Sequence, residues 1–398
     1  MACHMCRGSQ LMPLINFGAH PIAHHFVTDP SQPEYVHPVN LSLCEECGLL
    51  QLVDPIPPEM VYTDYVCLSS WKHQPHIPRL LQMVEQLPGL TKTSRIIEVG
   101  SNDGRFLQAL RERGFQNVLG IEPAQDALKA ARQVGVDTIG AYFTRATAED
   151  IVARYGKFDL FIARQVLEHV TDLVDFRDAM SLVLAKGGFV LIEVPNAALN
   201  LTVPDYSLWE EHVNYFTLDT LLAFLAQGGI RDTHSETVLF SGEALIVVGK
   251  HSSSPLATPA SYLNEIRAQA IAYRDQWPEF RERFIDYLRK CKEAGGRVAV
   301  YGAGARCCSL INFINIGPYI EFVVDDQPEK QGRYMPGSHI PIVPADELER
   351  RSISLCLLAV NTESEDKVLA KHPAFQRNQQ SILSILPPSN RLLPIWKA

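Results

Sequence analysis

The sequence predicts an α/β protein built around a doubly wound, mostly parallel sheet, with a cysteine-rich module before it and a second α/β domain after it. Three observations predict this class. An apolar strand at 95–99 leads into a glycine turn and a helix. The next strand ends on Glu122, and apolar strands then alternate with helical segments as far as Pro195. The same strand, glycine turn and helix return after Arg297 and are followed by a strand that ends on Asp325.

Length and composition limit the classes of function. At 398 residues, the chain is long enough for two or three domains, and its hydrophobic content of 46% is that of an ordinary globular protein. A net charge of −9 argues against general binding to nucleic acids or anionic membranes. The sequence contains no apolar run near the ~20 residues that a membrane span needs and no N-terminal signal segment. We therefore expect a cytoplasmic monomer or homodimer that acts on a small molecule.

Two Cys-x2-Cys pairs near the N-terminus predict a metal site. They are Cys3 with Cys6 and Cys44 with Cys47. Four thiolates with no open position are typical of a closed, structural Zn²⁺ site. The alternative is a set of free thiols, since the chain has nine cysteines in all and the loop between the pairs is long. His4 lies between two of the predicted ligands and is expected to be a bystander.

The turn after the first strand has the spacing Glu98-x-Gly100-x-x-x-Gly104, which differs from the G-x-G-x-x-G of nicotinamide enzymes. Glycines let the backbone approach a ligand where a Cβ would collide with it. Glu122 lies about 20 residues on, the distance at which an acidic residue reaches a ribose diol in a doubly wound fold. The alternative is an ordinary βαβ unit with a glycine turn. Together these features resemble class I S-adenosylmethionine-dependent methyltransferases.

That resemblance implies a set of cofactor-binding residues. It places Glu98, Gly100, Asn102 and Gly104 on the methionine and ribose side of S-adenosylmethionine, and Glu122 on the ribose. Phe143 would stack on the adenine, with an ordinary core position as the alternative. Beyond the carboxyl ends of the later strands, where ligands bind in such folds, the sequence places Gln165, His169 and Asn196. Residues 186–188 are predicted to form a turn before the next strand.

The N-terminal motifs make the resemblance more specific. The Cys-x2-Cys pair is followed by Gly-x-x-Pro-x-Ala, by Cys-x2-Cys-Gly-Leu-x-Gln-Leu, and by Tyr-x-x-x-Ser-Ser. This order resembles the zinc-containing sugar C-methyltransferases, which methylate ketosugars attached to nucleoside diphosphates. The resemblance implies that Tyr65, Ser69 and Ser70 contact the substrate. Cys67 stands where members usually carry a second tyrosine, so this chain departs from the family at that position.

A segment at 209–216 carries the implied catalytic residues. It matches the aromatic-x-Glu-His-x-x-Tyr-Phe segment of the same family, which implies that His212 is the base and Glu211 its neighbour. His169 matches another active-site histidine, and Trp209 replaces the usual tyrosine. The match also implies substrate contacts from Trp209, Asn214 and Tyr215. Without the family, a histidine beside carboxylates is more often structural. C-methylation requires a base, because a carbon next to a ketone becomes nucleophilic only after it loses a proton. Histidine can accept that proton at neutral pH.

The C-terminal segment has its own nucleotide-like signal. Tyr301-Gly302-Ala303-Gly304 before a helix, with an acidic strand end about 20 residues on, permits an NAD-binding domain as one alternative. The later Lys-x-Gly-Arg and Pro-Gly-x-His motifs instead resemble the C-terminal domain of the sugar C-methyltransferases. That resemblance implies nucleotide or sugar contacts from four residues, for each of which a packing role on the surface is the alternative: Arg306, Lys330, Arg333 and His339.

The sequence thus predicts a zinc-binding domain at 1–80, an S-adenosylmethionine-binding methyltransferase domain with a class I Rossmann-like sheet at 81–250, and a Rossmann-like substrate-binding domain at 251–398. The implied activity is C-methylation of a nucleoside-diphosphate keto-deoxysugar in the biosynthesis of a natural product. Two alternatives stay open. One is methylation of a non-sugar, oxygen or nitrogen acceptor, and the other is a non-catalytic subunit that keeps the cofactor fold.

Overall fold

The computed structural model describes residues 1–61, 74–202, 204, 208–252, 254–256, 260–373 and 382–396. The chain forms two compact units. The first comprises Met1–Met12, Ser42–Ala198 and Glu211–Arg267, and the second comprises Pro13–Leu41, Leu199–Glu210 and Ala268–Ala398. The three domain limits predicted from the sequence stay predictions.

Strands and helices alternate along most of the chain. The strands are β1 Leu11–Pro21, β2 Val36–Cys44, β3 Leu50–Val53, β4 Arg95–Val99, β5 Asn117–Ile121, β6 Thr138–Ile139, β7 Phe158–Arg164, β8 Leu184–Pro195, β9 Asn214–Tyr215, β10 Ile230–Val238, β11 Ala244–His251, β12 Val298–Tyr301, β13 Phe322–Val324, β14 Ile342–Val343, β15 Leu355–Leu358 and β16 Ile382–Ser384. The helices are α1 Pro58–Val61, α2 Ile77–Glu85, α3 Arg105–Glu112, α4 Gln125–Gln133, α5 Arg145–Tyr155, α6 Leu173–Val183, α7 Ala197–Thr202, α8 Leu218–Gln227, α9 Leu263–Glu293, α10 Ala305–Ile314, α11 Glu347–Arg350 and α12 Thr362–Lys371.

The first unit contains a seven-stranded sheet with the order β10-β11-β8-β7-β4-β5-β6. The strands from β8 to β6 in this order pair in parallel, and β11 lies antiparallel between β8 and β10. The first strand of this sheet along the chain is β4, which lies in the interior of the sheet. It has β5 on one side and β7 on the other. The connections from β4 and β7 therefore leave a crevice beyond their carboxyl ends, which is the usual ligand site of such a fold.

Apolar residues on both faces fix the central strands. Ile97 and Val99 of β4 pack into one buried cluster, and Ile96 packs into another, because successive side chains of a strand point to opposite faces. The nearly continuous apolar runs in these strands are therefore explained by a sheet that is covered on both faces.

The predicted turn at 186–188 lies instead inside β8. Leu184 pairs with Phe158, and the regular register resumes only at Phe189, which pairs with Leu160. Gly187 has a φ of 79°, a left-handed value that glycine adopts without strain. The segment therefore forms a bulge in one long strand rather than a turn between two elements.

The second unit contains a five-stranded parallel sheet with the order β14-β13-β12-β15-β16. Parallel pairing and flanking helices α10 and α12 confirm the second α/β pattern expected after Arg297. The long helix α9 contains Pro278 in its interior. In the first unit, β3 also pairs with β9 in antiparallel orientation. In the described part of the chain, no helix has the length and apolar character needed to cross a bilayer.

Candidate active site

A cavity of about 480 Å³ opens in the first unit beyond the carboxyl ends of β4, β5, β6 and β7. Five of its wall residues are among the sites predicted from the sequence, and they are Gly100, Asn102, Glu122, Phe143 and Gln165. His169, predicted as catalytic, also lies on the wall. Residues from four separate strand ends therefore meet at one site, as the doubly wound topology requires.

The turn after β4 needs its first glycine. Gly100 has a φ of 66°, and a Cβ at that position would lie 2.4 Å from Cγ2 of Val166, another wall residue. Asn102 has a φ of 48°, which asparagine tolerates better than most residues, and Gly104 has a φ of 75°. These three residues with positive φ form the tight turn beside the cavity. Helix α3 begins immediately after Gly104.

Glu122 is held at the cavity by two backbone amides. Its Oε2 accepts a hydrogen bond from the N–H of Asn102, and its Oε1 accepts one from the N–H of Ala124, both at 2.9 Å. Burial raises the pKa of this carboxyl group, while the two amide hydrogen bonds act in the opposite direction. A carboxylate has about four lone-pair sites, so two remain for the two hydroxyl groups of a ribose. The geometry fits the ribose role predicted for Glu122.

Glu98 lies beneath the cavity and is absent from its wall. It is fully buried, and Arg164 donates to its Oε1 at 2.9 Å. Burial raises the pKa of Glu98 to about 7, although the neighbouring Arg164 opposes that shift. Arg164 does line the cavity, and its guanidinium stacks 4.1 Å above the ring of Phe106. Glu98 therefore acts on the cavity through Arg164, whose part in the site the sequence did not indicate.

Aromatic side chains form one wall. Phe143 is 9% exposed and packs with Phe161 and Phe176 at ring-centroid distances of 5.5 and 5.3 Å. It therefore belongs to the core and also lines the cavity, and its stacking on adenine stays a prediction. Tyr142, which sequence reasoning missed, lines the same wall and is 48% exposed. An aromatic pair beside the acidic side chain of Glu122 suits a nucleoside.

Two histidines meet beside this cavity. The ring centroids of His169 and His212 lie 4.7 Å apart, with the ring planes nearly perpendicular. His169 Nδ1 lies 3.0 Å from the backbone oxygen of Glu211, and because that oxygen only accepts, Nδ1 carries the proton. Burial lowers the pKa of His169, which favours its neutral form. His212 is 5% exposed.

Asn214 holds the segment that carries His169. Its Nδ2 donates to the backbone oxygens of Leu167 and Val170 at 2.9 and 2.7 Å, and its Oδ1 lies 2.9 Å from Nδ1 of His4. These partners occupy the amide, so its geometry is that of a structural support. Tyr215 is buried, with its ring 6.4 Å from that of His212. Both residues stay predictions as substrate contacts.

The four predicted zinc ligands converge. Cys3 Sγ lies 3.5 Å from Cys47 Sγ, and Cys6 Sγ lies 3.6 Å from Cys44 Sγ. All four sulfur atoms lie within 4.8 Å of one another. Zn–S bonds of about 2.3 Å in a tetrahedron place sulfurs about 3.8 Å apart, so the cluster fits Zn²⁺. When bound, zinc would cross-link the two knuckles, and His4 points instead to Asn214, as expected of a bystander.

The remaining predicted substrate contacts fall in three places. Trp209 is half-buried in the second unit. Tyr65, Ser69 and Ser70, with Cys67, lie outside the described residues. Arg306 lies in the first turn of α10 and donates a hydrogen bond to Asn361, and Arg333 is partly exposed.

Two other predicted nucleotide contacts have firm partners within the second unit. Lys330 is 4% exposed and donates to the Ala303 oxygen at 2.9 Å and to Asp325 at 3.3 Å. His339 Nε2 lies 2.6 Å from Glu34 Oε1. Asp325 also accepts from the N–H of Ala303, so it fixes the glycine turn after β12. Lys330 thus braces this turn from inside, which the sequence spacing did not indicate.

Comparisons with known protein families agree with this architecture. Residues 3–62 match a zinc binding domain, residues 71–235 a methyltransferase domain, and residues 262–387 a C-methyltransferase C-terminal domain. C-methyltransferase NovU from Streptomyces niveus is 29% identical over 358 residues, which cover 85% of this chain and 84% of that protein.

Two further relatives match the methyltransferase region. A ubiquinone biosynthesis O-methyltransferase from Bordetella avium is 26% identical over 30% of this chain, which spans half the length of that relative. A solved S-adenosylmethionine-dependent methyltransferase from Archaeoglobus fulgidus is 16% identical over 47% of this chain and 100% of that chain, with a TM-score of 0.37. We base the fold assignment on the strand order and the domain match.

The sheet order, the glycine turn, the buried carboxylate after β5 and the domain match define a class I S-adenosylmethionine-dependent methyltransferase with a structural zinc site. Within that class, the three domain matches and the relative that spans most of the chain are decisive. They identify the chain as an S-adenosylmethionine-dependent C-methyltransferase with an N-terminal zinc-binding domain.

Proposed function

We propose that this enzyme methylates the carbon next to the ketone of a nucleoside-diphosphate keto-deoxysugar, with His212 as the base. One observation supports this most strongly. A histidine pair lies at the edge of the cofactor cavity, with His169 on the wall and the ring of His212 4.7 Å from it. C-methylation needs a base at this place, whereas an O-methyltransferase acceptor already carries a more acidic hydroxyl proton.

The residues divide the task as follows. S-adenosylmethionine, when bound, supplies an electrophilic methyl group on its sulfonium. His212 removes the proton from the acceptor carbon, because a neutral imidazole is a general base that can act near neutral pH. His169 is neutral with its proton on Nδ1, so its Nε2 accepts a hydrogen bond rather than donating one. His169 would therefore orient a hydroxyl group of the sugar.

We propose that the second unit binds the nucleoside diphosphate. Arg306 stands in the first turn of the ten-residue helix α10, where a guanidinium and the helix N-terminus both favour phosphate. Arg333 and His339 are the other proposed contacts. Lys330 has one N–H beyond the two it donates within the turn, so its contribution would be a single hydrogen bond. Titration calorimetry with thymidine, uridine and guanosine diphosphates should show binding that Arg306→Ala weakens.

Proton removal can be tested without methyl transfer. The acceptor is incubated in deuterium oxide with S-adenosylhomocysteine, and exchange at the carbon next to the ketone is followed by NMR. The wild type should catalyse exchange, and His212→Ala should lose it while still binding S-adenosylhomocysteine. His251→Ala is the matched control, because His251 is also buried in the first unit but bonds to Ala185 on another strand. Normal exchange by His212→Ala would refute the assignment of the base.

Transfer to oxygen is the second candidate. It is favoured by the match to ubiquinone O-methyltransferases and by the loss of two family tyrosines at Cys67 and Trp209. An enzyme of that kind would bind S-adenosylhomocysteine, respond to none of the three nucleotides and catalyse no carbon-bound exchange.

A further inference from the structure

A buried carboxylate beside the two histidines has no evident role in the proposed reaction. Glu168 is 1% exposed, and neither of its carboxylate oxygens has a hydrogen-bond partner in another described residue. One oxygen of Glu168 and one ring nitrogen each of His169 and His212 lie within 4.8 Å of one another. All three residues belong to the first unit.

Such a carboxylate is costly unless something neutralises it. Burying a charged carboxylate without a partner is strongly unfavourable, so the group either keeps its proton or takes a cation. Burial raises the pKa of Glu168 well above its ordinary value, which agrees with a site that lacks positive charge. The two nearby ring nitrogens come from the imidazoles of His169 and His212, and a neutral imidazole is the commonest metal ligand among side chains.

The surroundings of His169 match those of a metal ligand. Metal-binding histidines usually donate their other ring N–H to a carboxylate or a backbone carbonyl, which fixes the tautomer. His169 donates its Nδ1–H to the backbone oxygen of Glu211, so Nε2 is the ring nitrogen without a proton. Asn214 in turn ties down the backbone oxygens of Leu167 and Val170, on either side of Glu168 and His169. The backbone that carries these two adjacent side chains is therefore anchored on both sides.

We propose that Glu168, His169 and His212 bind one divalent transition-metal ion. Two imidazoles and one carboxylate suit zinc, cobalt or iron(II) and leave a coordination position open, whereas magnesium prefers oxygen ligands. The site is distinct from the four-cysteine cluster. Its effect on turnover rests on the proposed function: a metal on His212 occupies the nitrogen lone pair that would remove the proton, so the ion inhibits methyl transfer.

Cobalt(II) is the probe. Protein with its cysteine site filled by zinc is titrated with cobalt, and visible absorption is followed together with metal content after desalting. We expect about one cobalt per chain beyond the zinc, without the thiolate charge-transfer band that exchange into the cysteine site would produce. Glu168→Gln should weaken cobalt binding by at least about tenfold, since even the loss of an outer-shell partner costs roughly 10–100-fold in metal affinity. Asp175→Asn, which alters another carboxylate on the cavity wall, should leave cobalt binding unchanged.

The deuterium-exchange assay with S-adenosylhomocysteine separates this proposal from the proposed function. Cobalt should inhibit exchange by the wild type at the concentrations at which it binds. Failure to bind a second ion, or equal binding by Glu168→Gln, would overturn the metal site and leave the base assignment standing. If cobalt binds but accelerates exchange, the metal site stands and His212 is not the base.

Discussion

Replacing Gly100 by alanine tests whether the turn after β4 shapes the cofactor cavity. The new Cβ would lie 2.4 Å from Cγ2 of Val166, and both residues line the cavity. Two costs are expected. A non-glycine residue at a φ of 66° costs roughly 1–2 kcal/mol, and forcing a methyl group into a filled space costs roughly 1–3 kcal/mol. The first unit should lose roughly 2–5 kcal/mol of unfolding free energy.

Gly89→Ala is the matched control. Gly89 has a φ of 81°, but a Cβ there would meet nothing within 4 Å, so it carries the backbone cost without the clash. If the cost of the clash, roughly 1–3 kcal/mol, is expressed as a distorted cavity, it weakens cofactor binding, and about 1.4 kcal/mol corresponds to a factor of ten in affinity. Gly100→Ala should therefore raise the Kd of S-adenosylhomocysteine, measured by calorimetry, by roughly 10–100-fold. Gly89→Ala should leave that Kd unchanged.

The clash can be isolated by a double variant. Val166→Ala removes the Cγ2 atom, so Gly100→Ala combined with Val166→Ala should recover the clash part of the loss and keep the backbone part. Urea unfolding of the four proteins of this cycle measures the difference. If Gly100→Ala proves no worse than Gly89→Ala in both assays, the turn after β4 does not shape the cofactor cavity.

Three further predictions concern the cofactor, the metal and pH. Glu122→Gln should weaken S-adenosylhomocysteine binding by roughly 10–100-fold, because a hydrogen bond to a charged group contributes about 1.5–3 kcal/mol; an unchanged Kd in calorimetry would exclude the ribose role. Cys44→Ser should lower the zinc content from about one ion per chain, whereas Cys356→Ser, a buried cysteine outside the cluster, should keep it; elemental analysis that shows full zinc in Cys44→Ser would contradict the assignment. Glu98 holds its proton to a pH of about 7 when folded but only to about 4.5 when unfolded, so the unfolding free energy should fall by about 3 kcal/mol as pH rises through this interval and stay level above it. Glu98→Gln should lack this slope in urea titrations between pH 5 and 8, and an identical slope in both proteins would show that another group causes it.

The sequence was most informative where a local pattern has one structural meaning. The strand and glycine turn at 95–104, the acidic end of β5 and the paired cysteines each depend on residues close in the chain. The structure brings these features to the predicted cavity and to a four-sulfur cluster. The glycine requirement at position 100 follows from Val166, which is distant in sequence and became visible only in the fold.

Sequence reasoning was less informative about polar residues with buried partners. Asn214 and Lys330 lie in motifs that resemble substrate sites, yet each has several partners within its own unit. Arg164 and Glu168 were missed because their importance comes from burial and from neighbours on other strands or loops, which spacing does not report. The turn predicted at Lys186–Gly188 was wrong, because two adjacent glycines are also compatible with a bulge inside a strand.

The most direct test of the central claim is the position of the transferred methyl group. The enzyme is incubated with S-adenosylmethionine labelled with ¹³C in its methyl group and with candidate nucleoside-diphosphate keto-deoxysugars labelled in the sugar, and the product is examined by NMR. We expect a one-bond carbon–carbon coupling between the methyl group and the sugar carbon next to the ketone, in the wild type but not in His212→Ala. A methyl group bonded to oxygen, or transfer only to acceptors without a nucleotide, would contradict the proposed C-methylation of a nucleotide sugar.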